Sequence, residues 1–357
     1  MRVVPCHASV CKIPTEGKQV PSKGVVLMYH RISEPMWDAW GVAVSPACFE
    51  QHLACIRRNY EAVSLDRVFA DLPRGAMPRR WIAVTFDDGY ADNLYQAKPL
   101  LERYQIPATV FAVTSQIGAP TEFWWDELER IFMAPQWLPN SLSLVLSNGL
   151  ASWELSSGVA DDGYIAVRHR GWRAWERDAA TPRHEVYRQV HGLMVGLHPH
   201  ERADILEQLR RWAGDSPPVR PEYRAMTVEE LIEMADGLIN VGSHTVTHTP
   251  LHLMSGDALR NELVMSKRFL EHILSRPVPS FSYPFGSRVA ETVAAVERAG
   301  YAYACSSLSH QDVESLAAGS SEAIVQAPAS TYELPRLMVE NWDAAEFDSR
   351  LARWFGN

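Results

Sequence analysis

The stretch Trp81-Ile82-Ala83-Val84-Thr85-Phe86-Asp87-Asp88-Gly89-Tyr90 decides how this chain is read. Trp81 to Val84 form an apolar, partly β-branched run that reads as a buried strand, and it ends where two carboxylates begin. Gly89 permits a sharp turn there, so Asp87 and Asp88 can face one cavity instead of opposite sides of a strand. Neighbouring ionised carboxylates repel one another. A bound divalent cation resolves the conflict by keeping one as a ligand and leaving the other as a base.

A second apolar strand, Leu238 to Val241, ends at Gly242-Ser243-His244-Thr245-Val246-Thr247-His248. Residues four apart are neighbours on a helical turn, so the spacing predicts that His244 and His248 chelate from one turn. Two imidazoles and one carboxylate leave an open coordination position of the kind that activates water. Each pattern alone has an ordinary reading. The chain holds 13 histidines, with His248 and His252 repeating the spacing, and an Asp-Asp-Gly turn is often a solvated loop or helix cap. Both at strand ends point to a hydrolytic metal centre.

The succession Tyr29-His30-Arg31-Ile32, Thr85-Phe86-Asp87-Asp88-Gly89-Tyr90, Gly242-Ser243-His244-Thr245 with His248 and Leu251, and Tyr283-Pro284-Phe285-Gly286 resembles the polysaccharide deacetylase (NodB-homology, carbohydrate esterase 4) family. The pattern is nearest to the subset that deacetylates poly-N-acetylglucosamine, and it covers residues 24–116 and 226–340. The resemblance implies an α/β fold, a distorted, incomplete (β/α) barrel with its active site at the C-terminal ends of the strands. It also implies a metal-dependent hydrolase that removes the N-acetyl group from an N-acetylated sugar. Asp87 would then be the general base, and Asp88, His244 and His248 would hold a divalent metal. Zn2+ suits that donor set, and Co2+, Ni2+ or Fe2+ fit it too. Tyr283 would lie at the substrate, and a backbone N–H at Phe285 would meet charge growing on the carbonyl oxygen.

The chain departs from the family at two places. Ser282 stands where the family has an arginine that orients the base, and the late Leu-x-x-Leu-His motif has no match. Its nearest segment, Glu333 to Val339, offers Arg336 and no histidine. Arg336 is therefore the candidate to orient Asp87, with an ordinary ion pair as the competing reading. His30, at the end of the first strand, is the candidate general acid, against a buried histidine that fixes a carbonyl. Asp92 reads as a helix cap or a group behind the site, and Ser243 as a hydrogen-bond partner orienting a ligand.

Around these motifs strand and helix alternate. Ser45-Pro46 opens a helix with Phe49, Leu53 and Ile56 on one face; a helix over 93–104 carries Leu94, Ala97 and Leu101; Thr227 to Glu230 is a capping box. The expected division is an extension over 1–23, a barrel over 24–340 interrupted by a largely helical insertion at 121–225, and a C-terminal helix in 341–357. In the insertion, Trp125, Leu128, Ile131 and Phe132 read as packing positions, while the segment as a whole is a candidate lid. The sugar-facing alternative for its aromatics rests on Phe123-Trp124-Trp125 and Arg168 to Trp175.

The 357 residues are 46% hydrophobic with a net charge of -9, which suits a globular core and argues against nucleic acid as a partner. Neither a continuous apolar leader nor an integral membrane segment is evident, and the five cysteines lack paired CxxC spacing, so the expected compartment is cytoplasmic. There a precursor, nucleotide-linked or lipid-linked sugar would be met more readily than finished polymer. Nucleophile-elbow, H-E-x-x-H, P-loop and dinucleotide fingerprints are absent. Two alternatives remain beside the deacetylase: a deformylase of a lipid-linked amino sugar, and a carbohydrate-binding pseudoenzyme. The oligomeric state has no sequence signature.

Overall fold

The computed structural model describes residues 22–155, 170–176, 178–179, 181–214, 219–308, 324–326 and 330–356. Most of the expected 1–23 extension, and Arg168-His169, lie outside them. In chain order the strands are β1 (Lys23–Tyr29), β2 (Arg31–Ile32), β3 (Ala43–Val44), β4 (Glu61–Ala62), β5 (Arg80–Phe86), β6 (Ala108–Ala112), β7 (Ser141–Leu146), β8 (Gly149–Glu154), β9 (Ile239–Ser243), β10 (Ser280–Ser282), β11 (Tyr303–Cys305) and β12 (Leu337–Met338). Eight of them form one parallel sheet in the order β11-β10-β9-β6-β5-β1-β12, with β4 against the start of β5. Gly24 to Tyr29 and Trp81 to Phe86 are almost wholly buried, because strands of a parallel sheet are covered on both faces and their apolar runs are continuous.

The two sheet ends approach each other through one segment. Residues around Thr331 to Arg336 exchange backbone bonds with the β11 region, Ser306 N–H to Leu334 at 2.8 Å and Leu308 N–H to Arg336 at 3.0 Å. The chain then passes directly into β12, which pairs with β1. This is the distorted barrel expected from the sequence, with an irregular strand at its seam.

The helices are α1 (Pro46–Asn59), α2 (Leu65–Asp71), α3 (Lys98–Tyr104), α4 (Trp124–Met133), α5 (Pro182–Val195), α6 (Pro199–Ala213), α7 (Val228–Met234), α8 (Gly256–Leu274), α9 (Ala290–Arg298) and α10 (Ala344–Phe355). Ser45 caps α1 by accepting from Cys48 N–H, and Phe49, Leu53 and Ile56 are buried as their spacing requires. Thr227 and Glu230 close the capping box of α7. The predicted helix over 93–104 begins instead as a π turn, Asn93–Ala97, before α3. Asp92 makes no capping bond there. Its carboxylate pairs with Arg31 at 2.9 Å and accepts from Ile32 N–H at 3.0 Å, pinning β2 to the helix. No helix of the described residues is long and apolar enough to cross a membrane.

Between Trp124 and Ala213, α4, α5, α6 and a hairpin share a cluster of their own, built on residues such as Leu128, Ile131, Phe132, Tyr187 and Leu209. The β7–β8 hairpin was not foreseen. Its signals are the alternation Ser-Leu-Ser-Leu, which buries Leu142 and Leu144, and Asn148-Gly149 at the turn. Arg202 of α6 joins this cluster to the barrel loops, bonding Met194 O at 3.0 Å, Thr249 Oγ1 at 3.1 Å and Thr247 O at 3.3 Å.

Candidate metal centre and active site

Asp87 and Asp88 follow β5 directly, with Asp88 and Gly89 both at positive φ, 71° and 83°. Glycine tolerates that conformation freely and aspartate among the best of the rest. The Asp87 N–H still bonds Tyr29 O at 2.9 Å, so the sheet register holds up to this turn. The turn brings both buried carboxylates to the C-terminal end of the sheet.

His244 and His248 follow β9, but not on a helical turn. Thr245 and His248 take positive φ, 67° and 54°, and the loop is held by hydrogen bonds from outside it. Glu262 of α8 accepts from Val246 N–H at 2.8 Å, Thr247 N–H at 2.9 Å and Thr247 Oγ1 at 2.7 Å. Thr245 Oγ1 accepts from His248 N–H at 3.0 Å. The one-turn spacing thus puts the two rings together, centroids 4.8 Å apart, for a different reason from the one expected. Ser243 does not orient a ligand; its hydroxyl donates to Ser266 and ties β9 to α8.

His244 Nδ1 donates to Ser282 O at 2.8 Å, which leaves Nε2 as the free lone pair. That atom lies 3.8 Å from Asp88 Oδ1, and His248 Nε2 lies 3.5 Å from the same oxygen. Ligands placed tetrahedrally about 2.0–2.2 Å from one ion are about 3.3–3.6 Å apart. The three candidate donors all lie within 4.8 Å of one another and are buried. Asp88 Oδ1 has no hydrogen-bond partner among the described residues. A buried carboxylate oxygen without a donor fits a cation site. Burial, with Asp87 beside it, pushes the Asp88 carboxyl well up, and burial pushes both imidazoles down. Neutral imidazoles are the form that ligates.

Asp87 is held differently. Arg336 reaches it from the barrel seam with both terminal nitrogens, Nη1 to Oδ1 and Nη2 to Oδ2, each at 2.7 Å. Nη2 also donates to Ser282 Oγ at 2.6 Å, and Nε to Ser306 O at 3.0 Å. Burial would raise the Asp87 carboxyl, but Arg336, with His244, outweighs it and holds the group well below the usual carboxylate range. An arginine on β10 would have met the same carboxylate; here Ser282 occupies that place and the guanidinium arrives from the neighbouring seam.

A cavity of about 350 Å³ opens over this cluster. His30, half-buried at the end of β1, lines it, as do Tyr283 and Phe285. The Tyr283 N–H is spent on Cys305 O at 3.1 Å, so it offers no oxyanion donor, whereas its hydroxyl is buried without a hydrogen-bond partner among the described residues. Phe285 sits at positive φ, 58°, with its ring 4.7 Å from His248 and 45% exposed. Sequence reasoning missed several groups that the cavity reveals. Trp125, weighed in the sequence as packing against sugar contact, packs on the barrel core and also lies 4.7 Å from the His248 ring, donating to Tyr90 Oη at 2.8 Å, while that hydroxyl donates to Asp126 at 2.7 Å. Trp37, Trp40 and His191 line the far wall. Their only sequence signal was aromatic content near the motifs.

A family model described as Polysaccharide deacetylase matches residues 74–143 and 211–304, which contain Asp87, Asp88, His244 and His248. Among curated proteins, YxkH of Bacillus subtilis (strain 168) is 21% identical over 283 residues, covering 79% of this chain and 63% of YxkH. The poly-beta-1,6-N-acetyl-D-glucosamine N-deacetylase of Escherichia coli (strain K12) is 27% identical over 101 residues, 28% of this chain and 15% of that enzyme. The chain thus spans less than two thirds of the length of these relatives. Among solved structures, Streptococcus pyogenes PplD in complex with acetate superposes with a TM-score of 0.54 at 17% identity, covering 92% of this chain and 98% of PplD. IcaB from Ammonifex degensii gives 0.54 at 18% identity, covering 94% and 98%. At these identities the likeness is one of fold.

Proposed function

The chain belongs to the polysaccharide deacetylase family, and from that premise we propose that it is a metal-dependent hydrolase that removes the N-acetyl group from an N-acetylated sugar. One observation carries the reading: an ionised carboxylate, Asp87, locked by Arg336, lies 3.7 Å from His244 Nε2 and beside a donor triad suited to a cation. A protein that only bound sugar would have no use for a base held there.

Asp88, His244 and His248 would hold the divalent cation, with Zn2+ first among the metals that suit one carboxylate and two imidazoles. Bound there, it supplies Lewis acidity toward water and the amide carbonyl. Asp87 takes the proton of the attacking water, and the bidentate bond from Arg336 keeps its oxygens from rotating away. The Phe285 N–H is assigned to the carbonyl oxygen as charge develops on it, because Phe285 lines the cavity. His30, which lines the cavity at the end of β1, is assigned to protonate the departing nitrogen, and the Tyr283 hydroxyl to hold the sugar.

Release of acetate from N-acetylglucosamine-containing glycosides, measured with added metal, tests the reading. Acetate appears with the wild type and not with Asp87→Asn. Release of formate from an N-formyl sugar, but not acetate, would place the chain with deformylases; metal binding with release of neither would leave a binding protein.

A further inference from the structure

On the deacetylase reading the acyl group lies at the triad, and the rest of the cavity holds the rest of the substrate. Its far wall is acidic and aromatic. Asp126 and Glu129 of α4 line the cavity at 6% exposure each, and half-buried Asp38, from the connection between β2 and β3, lines it with them.

Counter-charge for these groups is shared with other carboxylates: Arg31 lines the same cavity and acts on Asp126, but its own ion pair, at 2.9 Å, is with Asp92. Asp126 accepts from the neutral Tyr90 hydroxyl, and Glu129 Oε1 from Ala39 N–H at 2.9 Å. The other two carboxylates have only long ion pairs, Glu129 with Arg220 at 3.7 Å and Asp38 with Arg173 at 3.9 Å, and Asp38 also accepts from Val42 N–H at 2.9 Å and Ala43 N–H at 3.3 Å. Arg220 spends its closer bonds on Glu122. Burial accordingly pushes the Asp126 carboxyl up to about 6 and that of Glu129 to about 7.

His191 of α5 adds a second, independent observation. It is 8% exposed, lies tilted against Trp40 with centroids 4.3 Å apart, lines the same cavity, and its ring makes no hydrogen bond among the described residues. Burial, helped by Arg202, holds it down to about 3, so the ring is neutral and presents a lone pair. Trp37 supplies a further ring along the wall, whereas the Tyr223 ring is already stacked by Arg31 and Arg220, 3.9 Å and 3.4 Å from its centroid.

Buried acceptors with a shortfall of positive charge, framed by aromatic faces, match an ammonium group, which brings three donors and a full charge and is attracted by ring quadrupoles. We propose that this wall is a subsite for an ammonium carried by the substrate, so that the protein deacetylates a glycan in which a nearby sugar already bears a free amine. A fully acylated, neutral glycan would leave the wall's carboxylates without their counter-charge.

Calorimetric titration of the metal-loaded protein with glucosamine, N-acetylglucosamine and glucose tests this without requiring turnover. Glucosamine should bind at least tenfold more tightly than glucose, and Glu129→Gln or Asp126→Asn should each remove that preference. In the unsubstituted protein the indole N–H resonances of Trp37 and Trp40 should shift with glucosamine and not with glucose, a readout that does not depend on the variants folding. Equal affinity for glucosamine and glucose overturns the proposal. So does a preference that survives both substitutions, because the amine would then be read at the triad. An amine preference with no acetate released from any glycan would sink the deacetylase reading and leave the subsite standing; acetate release without the preference would do the reverse.

Discussion

The proposed base and metal ligands are contiguous in sequence where it matters, and that is why they could be read. Asp87 and Asp88 share one turn, and His244 and His248 share one loop, so each pair announces itself. Arg336 had no such neighbour. It stands 249 positions from Asp87, and only the gap at Ser282 suggested looking for a substitute. Because both partners are buried, removing one leaves an uncompensated charge. Arg336→Met should therefore lower unfolding free energy by about 3–5 kcal/mol in denaturant titrations, far more than the loss of a surface ion pair. Asp87→Asn should retain metal while kcat falls about 10²–10⁴-fold, the usual worth of a general base. If that variant hydrolyses substrate at the wild-type rate, Asp87 is not the base.

At the level of elements, strands and most helices followed from apolar runs and caps, whereas the histidine loop did not. A four-residue spacing reads as a helical turn, but Thr245 and His248 adopt positive φ and the loop is shaped by Glu262, which is 14 residues beyond His248 and signals nothing in sequence. Glu262→Gln should weaken metal binding about 10–100-fold, as loss of a group behind a ligand commonly does, with kcat little changed once metal is saturating. Competition with a chromophoric chelator measures it. Gly242, two residues before His244, has Ser280 Oγ only 2.4 Å and the Phe111 ring 2.5 Å from where a Cβ would stand. Gly242→Ala should cost about 1–3 kcal/mol of stability through overpacking, read as a lower melting temperature. The β7–β8 hairpin was missed because helical stripes on both sides of it dominated the reading of that region.

For the whole molecule, the barrel was legible from the order of its motifs, while its closure was not, since the seam is an irregular segment with little apolar pattern. Closure also depends on α1 and α10. His52 of α1 accepts from the Tyr29 hydroxyl at 3.2 Å and donates to Trp342 O at 2.8 Å, with its ring stacked on Phe347. Burial pushes it down to about 4 from an ordinary 6.5. The unfolded chain therefore takes up this proton first as pH falls, so the His52 contribution is complete above pH 6.5, declines between 6.5 and about 4, and levels off below. Melting temperature should fall across that window, and the His52 ring resonances of the folded protein should titrate near its lower end. The proposed chemistry rests on one ion held by Asp88, His244 and His248. Crystals grown with Zn2+ and measured on both sides of the zinc absorption edge should show one anomalous peak about 2.0–2.2 Å from Asp88 Oδ1, His244 Nε2 and His248 Nε2. An anomalous map empty at that point, with the three side chains placed as described, would contradict the account.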